Sequence, residues 1–150
     1  MIPGFCAPAS LFFPLYKHFQ KTYDITSIDM LGFGGSGRPT FVCETLEQTI
    51  EFFNTCLEAW LVASGFLEKT KNKTVDIFAH SLGCFITCHF LEDKSKNRGL
   101  KVDKLWFMSP ACVSGKPQNF SKAEFVNRNE SFIFGKPFGQ SVTFGETTFR

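Results

Sequence analysis

The chain has 150 residues, of which 43% are hydrophobic and 20% are charged, and its formal net charge is +2. This length and balance are those of one soluble globular domain. The scattered Lys and Arg residues exclude the basic patch of a nucleic-acid-binding protein, and no apolar run approaches the ~20 residues that span a bilayer.

The predicted elements alternate as in a parallel sheet with helices on its faces. Residues 1–5 look like the end of a strand that opens into a loop. Residues 12–20 predict a helix capped near Ser10, in which Pro14 has to lie in the first turn. The run from Tyr23 to Asp29 predicts the next strand. The glycine-rich segment after it lacks the Lys-Ser or Lys-Thr of a P-loop, so a structural turn is favoured over a phosphate cradle.

The strongest helix signal lies in the middle of the chain. Thr45-Leu46-Glu47-Gln48 has the form of a capping box, and apolar residues recur at helical spacing until Gly65. Residues 75–78 then predict a short strand, residues 82–92 a helix buried against the sheet, and residues 104–108 a further strand.

The segment Ala79-His80-Ser81-Leu82-Gly83 joins a predicted strand to a predicted helix. It matches the G-x-S-x-G nucleophile elbow, with alanine at the first glycine. In such a turn backbone strain lifts the serine hydroxyl out of the sheet, and the helix N-terminus offers backbone N–H groups to an oxyanion. Serine between small residues is also an ordinary helix cap, so the context decides. The pattern predicts Ser81 as a nucleophile and the N–H of Leu82 as an oxyanion donor.

The six cysteines contain no C-x-x-C pair. They therefore predict buried, reduced thiols rather than a disulfide framework. Cys84, Cys88 and His89 form the only cluster near metal-ligand spacing, and they share one predicted helix, for which packing is favoured over ligation. No cofactor and no metal are expected. The N-terminus lacks the charged start and apolar stretch of a signal peptide, which predicts a cytoplasmic location.

Three segments together resemble the α/β-hydrolase family. Residues 1–5 are similar to the family's His-Gly-x segment, although Pro3 stands at the histidine position. Residues 29–39, Asp-Met-Leu-Gly-Phe-Gly-Gly-Ser-Gly-Arg-Pro, are similar to its Asp-x-x-Gly-x-Gly-x-Ser segment. The elbow is similar to its Gly-x-Ser-x-Gly segment. The run Gly-Phe-Gly-x-Ser-x-Arg-Pro followed by Phe41 is most similar to the branch of abhydrolase domain-containing proteins 4 and 5, associated with lysophospholipid and triglyceride turnover. The resemblance implies a mostly parallel sheet flanked by helices, and the N–H of Phe5 as a second oxyanion donor.

A serine hydrolase of this fold needs a carboxylate and a histidine base after the serine in the chain. The histidines are His18, His80 and His89. His18 precedes the serine on a predicted surface helix, and His80 lies inside the elbow. His89 is about 12 Å along the helix from Ser81, at ~1.5 Å per residue. None is placed to act as the base, so the triad acid and base are expected to be absent from this chain.

The predicted elements also lack the early and the C-terminal strands of the fold. The chain is therefore interpreted as part of a larger hydrolase, with residues 1–115 as a partial core. Residues 116–150 are interpreted as the start of a cap, in which Phe recurs at 120, 125, 132, 134, 138, 144 and 149. An aromatic cap suits an acyl chain, and the alternative is a segment whose packing partners are missing.

Three functions stay open. The first is hydrolysis of a carboxylic ester, a lipid or lysophospholipid, although this chain alone is expected to be inactive. The second is a non-catalytic lipid-binding or regulatory module, and the third is acyl transfer to a lysophospholipid through the same serine. The expected partner is a lipid or small ester, without nucleic acid. Peripheral contact with lipid droplets or membranes and the oligomeric state are left open.

Overall fold

The computed structural model describes residues 1–111. In chain order they form a 3₁₀ turn at Ala9–Phe12, then α1 (Phe13–Phe19), α2 (Leu46–Ala63), α3 (Phe66–Thr70), β1 (Val75–His80), α4 (Leu82–Glu92) and β2 (Val102–Met108). The predicted helix at 82–92 and the predicted strands at 75–78 and 104–108 are confirmed, with β1 and β2 each two residues longer than predicted. The cap predicted for residues 116–150 lies outside the described residues.

The described sheet is parallel. β1 pairs with β2 in a register that places Ile77 opposite Leu105 and Ala79 opposite Phe107. On the other edge of β1, the N–H of Ile2 donates to the Phe78 carbonyl at 2.8 Å and the N–H of His80 donates to the Ile2 carbonyl at 3.0 Å. The N-terminal residues therefore run beside β1 as a short parallel bridge.

The strand predicted from Tyr23 to Asp29 is wrong, because this segment forms no regular strand. Two backbone bonds join it to the sheet: Met1 donates its terminal amine to the Thr26 carbonyl at 2.6 Å, and the N–H of Ile28 donates to the Met1 carbonyl at 3.2 Å. A ladder needs alternating donors and acceptors over several residues of a partner. Within residues 1–111, the backbone of this segment bonds other backbone groups only at Met1 and, through the N–H of Tyr23, at the Phe19 carbonyl, so no ladder forms.

The cap predicted near Ser10 is also wrong. α1 begins after Phe12, which makes no side-chain capping bond, and Ser10 lies inside the preceding 3₁₀ turn, where its carbonyl accepts the N–H of Phe13. A backbone carbonyl of the 3₁₀ turn thus accepts an N–H at the start of α1, where a serine hydroxyl was expected to be the acceptor. Pro14 lies in the first turn of α1, as predicted.

The capping box of α2 is confirmed. The Thr45 hydroxyl accepts the N–H of Gln48 at 3.2 Å, and the Gln48 side-chain oxygen accepts the N–H of Thr45 at 3.3 Å. Just beyond the other end of the helix, Gly65 adopts φ 67°, a left-handed conformation that glycine tolerates without cost.

We expect Thr45→Ala to lower the free energy of unfolding by about 1 kcal/mol, because it removes the hydroxyl that satisfies an otherwise unpaired N–H. Urea unfolding followed by circular dichroism measures this difference. Thr40→Ala is the matched control, since Thr40 is exposed and outside any helix. Equal losses in both variants would contradict the capping role.

Helices cover both faces of β1. Ile77 and Ala79 face the core formed with α2 and α4, whereas the Phe78 ring contacts the rings of Phe12 and Phe19 at centroid distances of 5.5 and 6.1 Å. Alternation along the strand produces this division, since successive side chains point to opposite faces. The buried core includes Ile2, Met30, Phe53, Leu57, Leu61, Leu82, Cys84, Ile86 and Phe90. The fold is α/β, with helices on both sides of a parallel sheet.

Candidate active site

Ser81 connects β1 to α4 in a strained backbone conformation, with φ 50° and ψ −119°. A non-glycine residue in such a region costs about 1–3 kcal/mol and persists only when its surroundings hold it. Three backbone bonds do so: the Ser81 N–H donates to the Met108 carbonyl at 3.0 Å, and the Ser81 carbonyl accepts from Cys84 at 3.0 Å and from Ala111 at 3.2 Å. The strain is therefore fixed by β2 and by the first turn of α4.

Two glycines allow the elbow to lie against the N-terminal segment. A Cβ on Gly83 would stand 2.5 Å from the Pro3 carbonyl oxygen and 2.6 Å from that of Ile2. A Cβ on Gly4 would stand 2.8 Å from the Ser81 Cβ. Ala79, at the other small position of the motif, is completely buried. Gly83 of the motif is thus required by the backbone of Ile2 and Pro3, and Gly4 by the Ser81 side chain.

The two residues predicted to offer oxyanion donors approach the serine from different segments. Leu82 is the first residue of α4, so its N–H has no acceptor inside the helix. Phe5 follows Gly4, which lies against Ser81, and its ring packs edge-on against Phe33 at 5.4 Å. The fold brings both segments beside Ser81, and the role of their N–H groups stays a prediction.

The three histidines lie in different surroundings. The Ser81 hydroxyl makes no hydrogen bond to any of residues 1–111. His18 is exposed on α1, and the ring of His89 packs on Phe85 at 4.4 Å with its Nδ1 3.7 Å from Glu92. His80 has a buried Nδ1 without a partner in the described part of the chain. That none of the three serves as the base stays a prediction.

Asp29 organises the glycine-rich turn next to the site, a role that the sequence did not reveal. Its carboxylate accepts the N–H of Ala9 at 2.5 Å and that of Gly35 at 2.7 Å, and these bonds lower the pKa of the Asp29 carboxyl below its usual value. Gly34, at φ 53°, leaves room for it, since a Cβ there would stand 2.3 Å from the Asp29 Cγ. Arg38 donates to the Gly34 carbonyl at 2.9 Å. A carboxylate thus occupies the turn, which favours the structural interpretation over phosphate binding.

We expect Asp29→Ala to lower the free energy of unfolding by about 1–2 kcal/mol, because it leaves two backbone N–H groups without their charged acceptor. Because folding lowers the pKa of Asp29, its carboxylate stabilises the folded state fully at pH values above 3.8, the pKa in the unfolded chain. This stabilisation is lost as the pH falls through the lower pKa of the folded state. Urea unfolding between pH 2 and 6 measures both effects. Asp24→Asn, at an exposed position, is expected to change stability by less than about 0.5 kcal/mol.

Of the two cysteines on α4, Cys84 is buried and Cys88 is half-buried. Cys84 is fully buried, burial raises the pKa of its thiol, and its Sγ lies 3.9 Å from the Met108 carbonyl. No group of His, Cys, Asp and Glu residues within 1–111 is arranged to hold a metal ion. Over the same range, no helix is long and apolar enough to cross a membrane.

Comparison with known proteins identifies the family. The alpha/beta hydrolase fold family matches residues 1–144, and the chain belongs to that family. It is 27% identical over 123 residues to a protein of Oryza sativa subsp. japonica named "Probable 1-acylglycerol-3-phosphate O-acyltransferase", covering 81% of this chain and 27% of the relative. It is 28% identical over 90 residues to the Arabidopsis thaliana "1-acylglycerol-3-phosphate O-acyltransferase", covering 60% of this chain and 20% of that relative. The chain thus spans about a quarter or less of these relatives' length.

Proposed function

We propose that this chain carries the nucleophile of a serine-dependent acyl-transfer site, in which Ser81 attacks the carbonyl carbon of a lipid carboxylic ester. The observation that supports this most directly is the backbone of Ser81, which is strained at a strand-to-helix junction. An ordinary helix cap would instead accept an N–H of the first turn with its side chain, and Ser81 makes no such bond. Strain of this kind is typical of functional sites.

In the proposed reaction, the Ser81 oxygen bonds to the ester carbon and the carbonyl oxygen becomes an oxyanion. The N–H groups of Leu82 and Phe5 stabilise that oxyanion, and the alcohol then leaves with a proton. The product is an acyl ester on Ser81, which water cleaves to release the carboxylic acid. The base that takes the Ser81 proton has to come from a histidine other than His18, His80 and His89.

Acyl transfer to a lysophospholipid is the second candidate, and the names of the two plant relatives favour it. It differs from hydrolysis only in the last step, where a hydroxyl of 1-acylglycerol-3-phosphate would replace water. Both reactions use the same acyl-Ser81 ester. A non-catalytic lipid-binding role would need neither the ester nor the strain at Ser81.

The test joins this chain to the C-terminal half of an α/β hydrolase, which supplies the carboxylate and the histidine. We expect this fusion to hydrolyse a short-chain p-nitrophenyl ester. Ser81→Ala is expected to reduce kcat by a factor on the order of 10⁶, as removal of the nucleophile does in a serine protease of unrelated fold. Ser36→Ala serves as a control serine on the glycine-rich turn. Hydrolysis that survives Ser81→Ala would refute the nucleophile.

Adding 1-acylglycerol-3-phosphate to the same reaction separates the two candidates. A transferase forms the diacyl product in preference to the free acid, whereas a hydrolase releases the acid at an unchanged rate. Specific lipid binding by a well-folded fusion that turns over no ester would favour the non-catalytic role.

A further inference from the structure

Phe5 lies in a tight turn whose first residue, Gly4, lies against Ser81. The N–H of Ala7 donates to the Gly4 carbonyl at 3.2 Å, which closes the turn around Phe5 and Cys6. Cys6 adopts φ 54°, a left-handed conformation that is costly for a residue with a Cβ. A strained turn keeps its shape only when surrounding groups hold it. The position of the Phe5 N–H relative to Ser81 therefore depends on contacts outside the turn.

The glycine-rich turn supplies two such contacts. The ring of Phe33 packs on the Phe5 ring at a centroid distance of 5.4 Å and an interplanar angle of 81°, an edge-to-face arrangement that aromatic pairs prefer. Four residues after Phe5, the N–H of Ala9 donates to the Asp29 carboxylate at 2.5 Å. The glycine-rich turn therefore holds residues 5–9 at both ends, once by ring packing and once by a charged hydrogen bond.

Phe33 is itself held in place by backbone bonds. Its N–H donates to the Met30 carbonyl at 2.9 Å, and its carbonyl accepts the N–H of Ser36 at 3.0 Å. Met30 is 2% exposed and belongs to the core, so the first of these bonds fixes the Phe33 backbone to the interior of the fold. The Phe33 ring is half-buried and packs against the same core. The ring that contacts Phe5 therefore extends from a well-supported backbone.

We propose that Phe33 is a positioning residue of the acyl-transfer site: its ring holds the turn so that the N–H of Phe5 lies where the oxyanion forms. This inference rests on the proposed roles of Ser81 and Phe5. An oxyanion donor acts only at hydrogen-bond distance from the oxygen that becomes charged, and the loss of one donor costs about 10²–10³ in kcat. A displacement of about 1 Å can cost about 10². Removal of the Phe33 ring is therefore expected to lower kcat without weakening the binding of the ester.

Two other roles of Phe33 lead to different expectations. If the ring served only the stability of the fold, its removal would lower the free energy of unfolding and leave the kcat of the folded protein unchanged. If the ring contacted the acyl chain of the substrate, its removal would raise KM, and would do so more for a long acyl chain than for acetate. Positioning of the Phe5 N–H instead implies the same fall in kcat for both esters, because both form the same oxyanion.

The kinetic test uses the fusion that supplies the carboxylate and the histidine, with p-nitrophenyl acetate and p-nitrophenyl octanoate, at a temperature where circular dichroism shows each variant folded. We expect Phe33→Ala to lower kcat about 10- to 100-fold for both esters with KM changed by less than about twofold, and Phe33→Tyr, which keeps the ring, to retain kcat. Phe66→Ala is the matched control, because it removes a ring of α3 that packs on Trp60 at 5.3 Å, and its kcat is expected to stay unchanged. An unchanged kcat in Phe33→Ala, or a loss that grows with acyl length, would overturn the proposal.

A double-mutant cycle tests whether Phe33 acts through the Phe5 ring. Phe5→Ala removes that ring and keeps the backbone N–H. In this background, Phe33→Ala is expected to lower kcat further by less than about twofold, because residues that act through one contact do not have additive effects. Equal losses from Phe33→Ala in both backgrounds would contradict a role through Phe5.

Amide exchange of the full chain supplies a measurement that needs no activity. The N–H of Ala7 bonds the Gly4 carbonyl, so its exchange rate reports how often the turn opens. Phe33→Ala is expected to speed exchange at Ala7 about tenfold. Exchange at Ser64, whose N–H bonds the Trp60 carbonyl at 2.9 Å, is expected to stay the same. An inactive fusion would count against the role of Ser81, whereas unchanged exchange at Ala7 would overturn the role of Phe33 with or without activity.

Discussion

Replacing Gly83 with alanine is expected to lower the free energy of unfolding by about 2 kcal/mol. Gly83 lies in the first turn of α4, and helix propensity alone would make alanine more stable there by about 1 kcal/mol. The new Cβ, however, would stand 2.5 and 2.6 Å from two backbone carbonyl oxygens, those of Pro3 and Ile2. Neither oxygen is at the end of a flexible side chain, so α4 or the N-terminal segment has to move, and overpacking of this kind costs about 1–3 kcal/mol or more.

Gly37→Ala is the matched control. A Cβ at Gly37 would meet only the Leu31 Cδ1, at 4.0 Å, so a change below about 0.5 kcal/mol is expected. Urea unfolding followed by circular dichroism compares the two variants. A stabilised Gly83→Ala variant would mean that propensity dominates and that the close approach of α4 to Pro3 does not persist in solution.

Local signals were sufficient to predict the elements on which the candidate site depends. The capping box at Thr45, the span of α4 and the position of Ser81 at its N-terminus all follow from residues close together in the sequence. Side-chain caps, helical spacing and small residues around a serine act over a few residues, and sequence patterns record such interactions directly. The mostly parallel sheet was implied by the family resemblance, and both β2 and the bridge at Ile2 run parallel to β1.

Features that depend on distant partners could not be predicted in the same way. The run from Tyr23 to Asp29 has the composition of a strand, but a strand also needs a pairing partner. Within residues 1–111 this run makes two backbone bonds with Met1 and one from Tyr23 to Phe19, which do not form a ladder. Where a helix cap was predicted near Ser10, the structure has a 3₁₀ turn at Ala9–Phe12. The Asp29 carboxylate bonds Ala9, twenty residues earlier, so no local pattern indicates it.

The site itself illustrates the same division. Glycine at position 83 is part of the motif, but the reason for it is the contact with Ile2 and Pro3, which only the folded chain brings together. Glycine is needed at position 4 for a similar reason, because a Cβ there would stand 2.8 Å from the Ser81 Cβ. A cavity beside β1 is lined by residues from separate segments of the chain, so no local pattern indicates it.

The chain without an added base is expected to leave Ser81 unlabelled by a fluorophosphonate probe and to show no practical ester turnover. A serine hydroxyl is a weak nucleophile unless an adjacent base removes its proton, and the Ser81 hydroxyl bonds none of residues 1–111. Enzymes that lose their triad retain only about 10³–10⁴ over water from the oxyanion donors and substrate binding. Such a residual rate lies far below that of a working esterase.

Labelling is measured by gel fluorescence and by mass spectrometry of the modified peptide, with the chain alone and the fusion side by side. The fusion is expected to be labelled at Ser81 within minutes, and Ser81→Ala of the fusion is expected to remain unlabelled. The prediction would be wrong if the chain alone were labelled at Ser81 and hydrolysed an ester, and if Ser81→Ala abolished that hydrolysis. Because His18, His80 and His89 lie at an exposed helix, in the elbow and on Phe85, that result would require a base from a second copy of the chain or from residues beyond 111. A dependence of the labelling rate on protein concentration would then identify the second copy as its source.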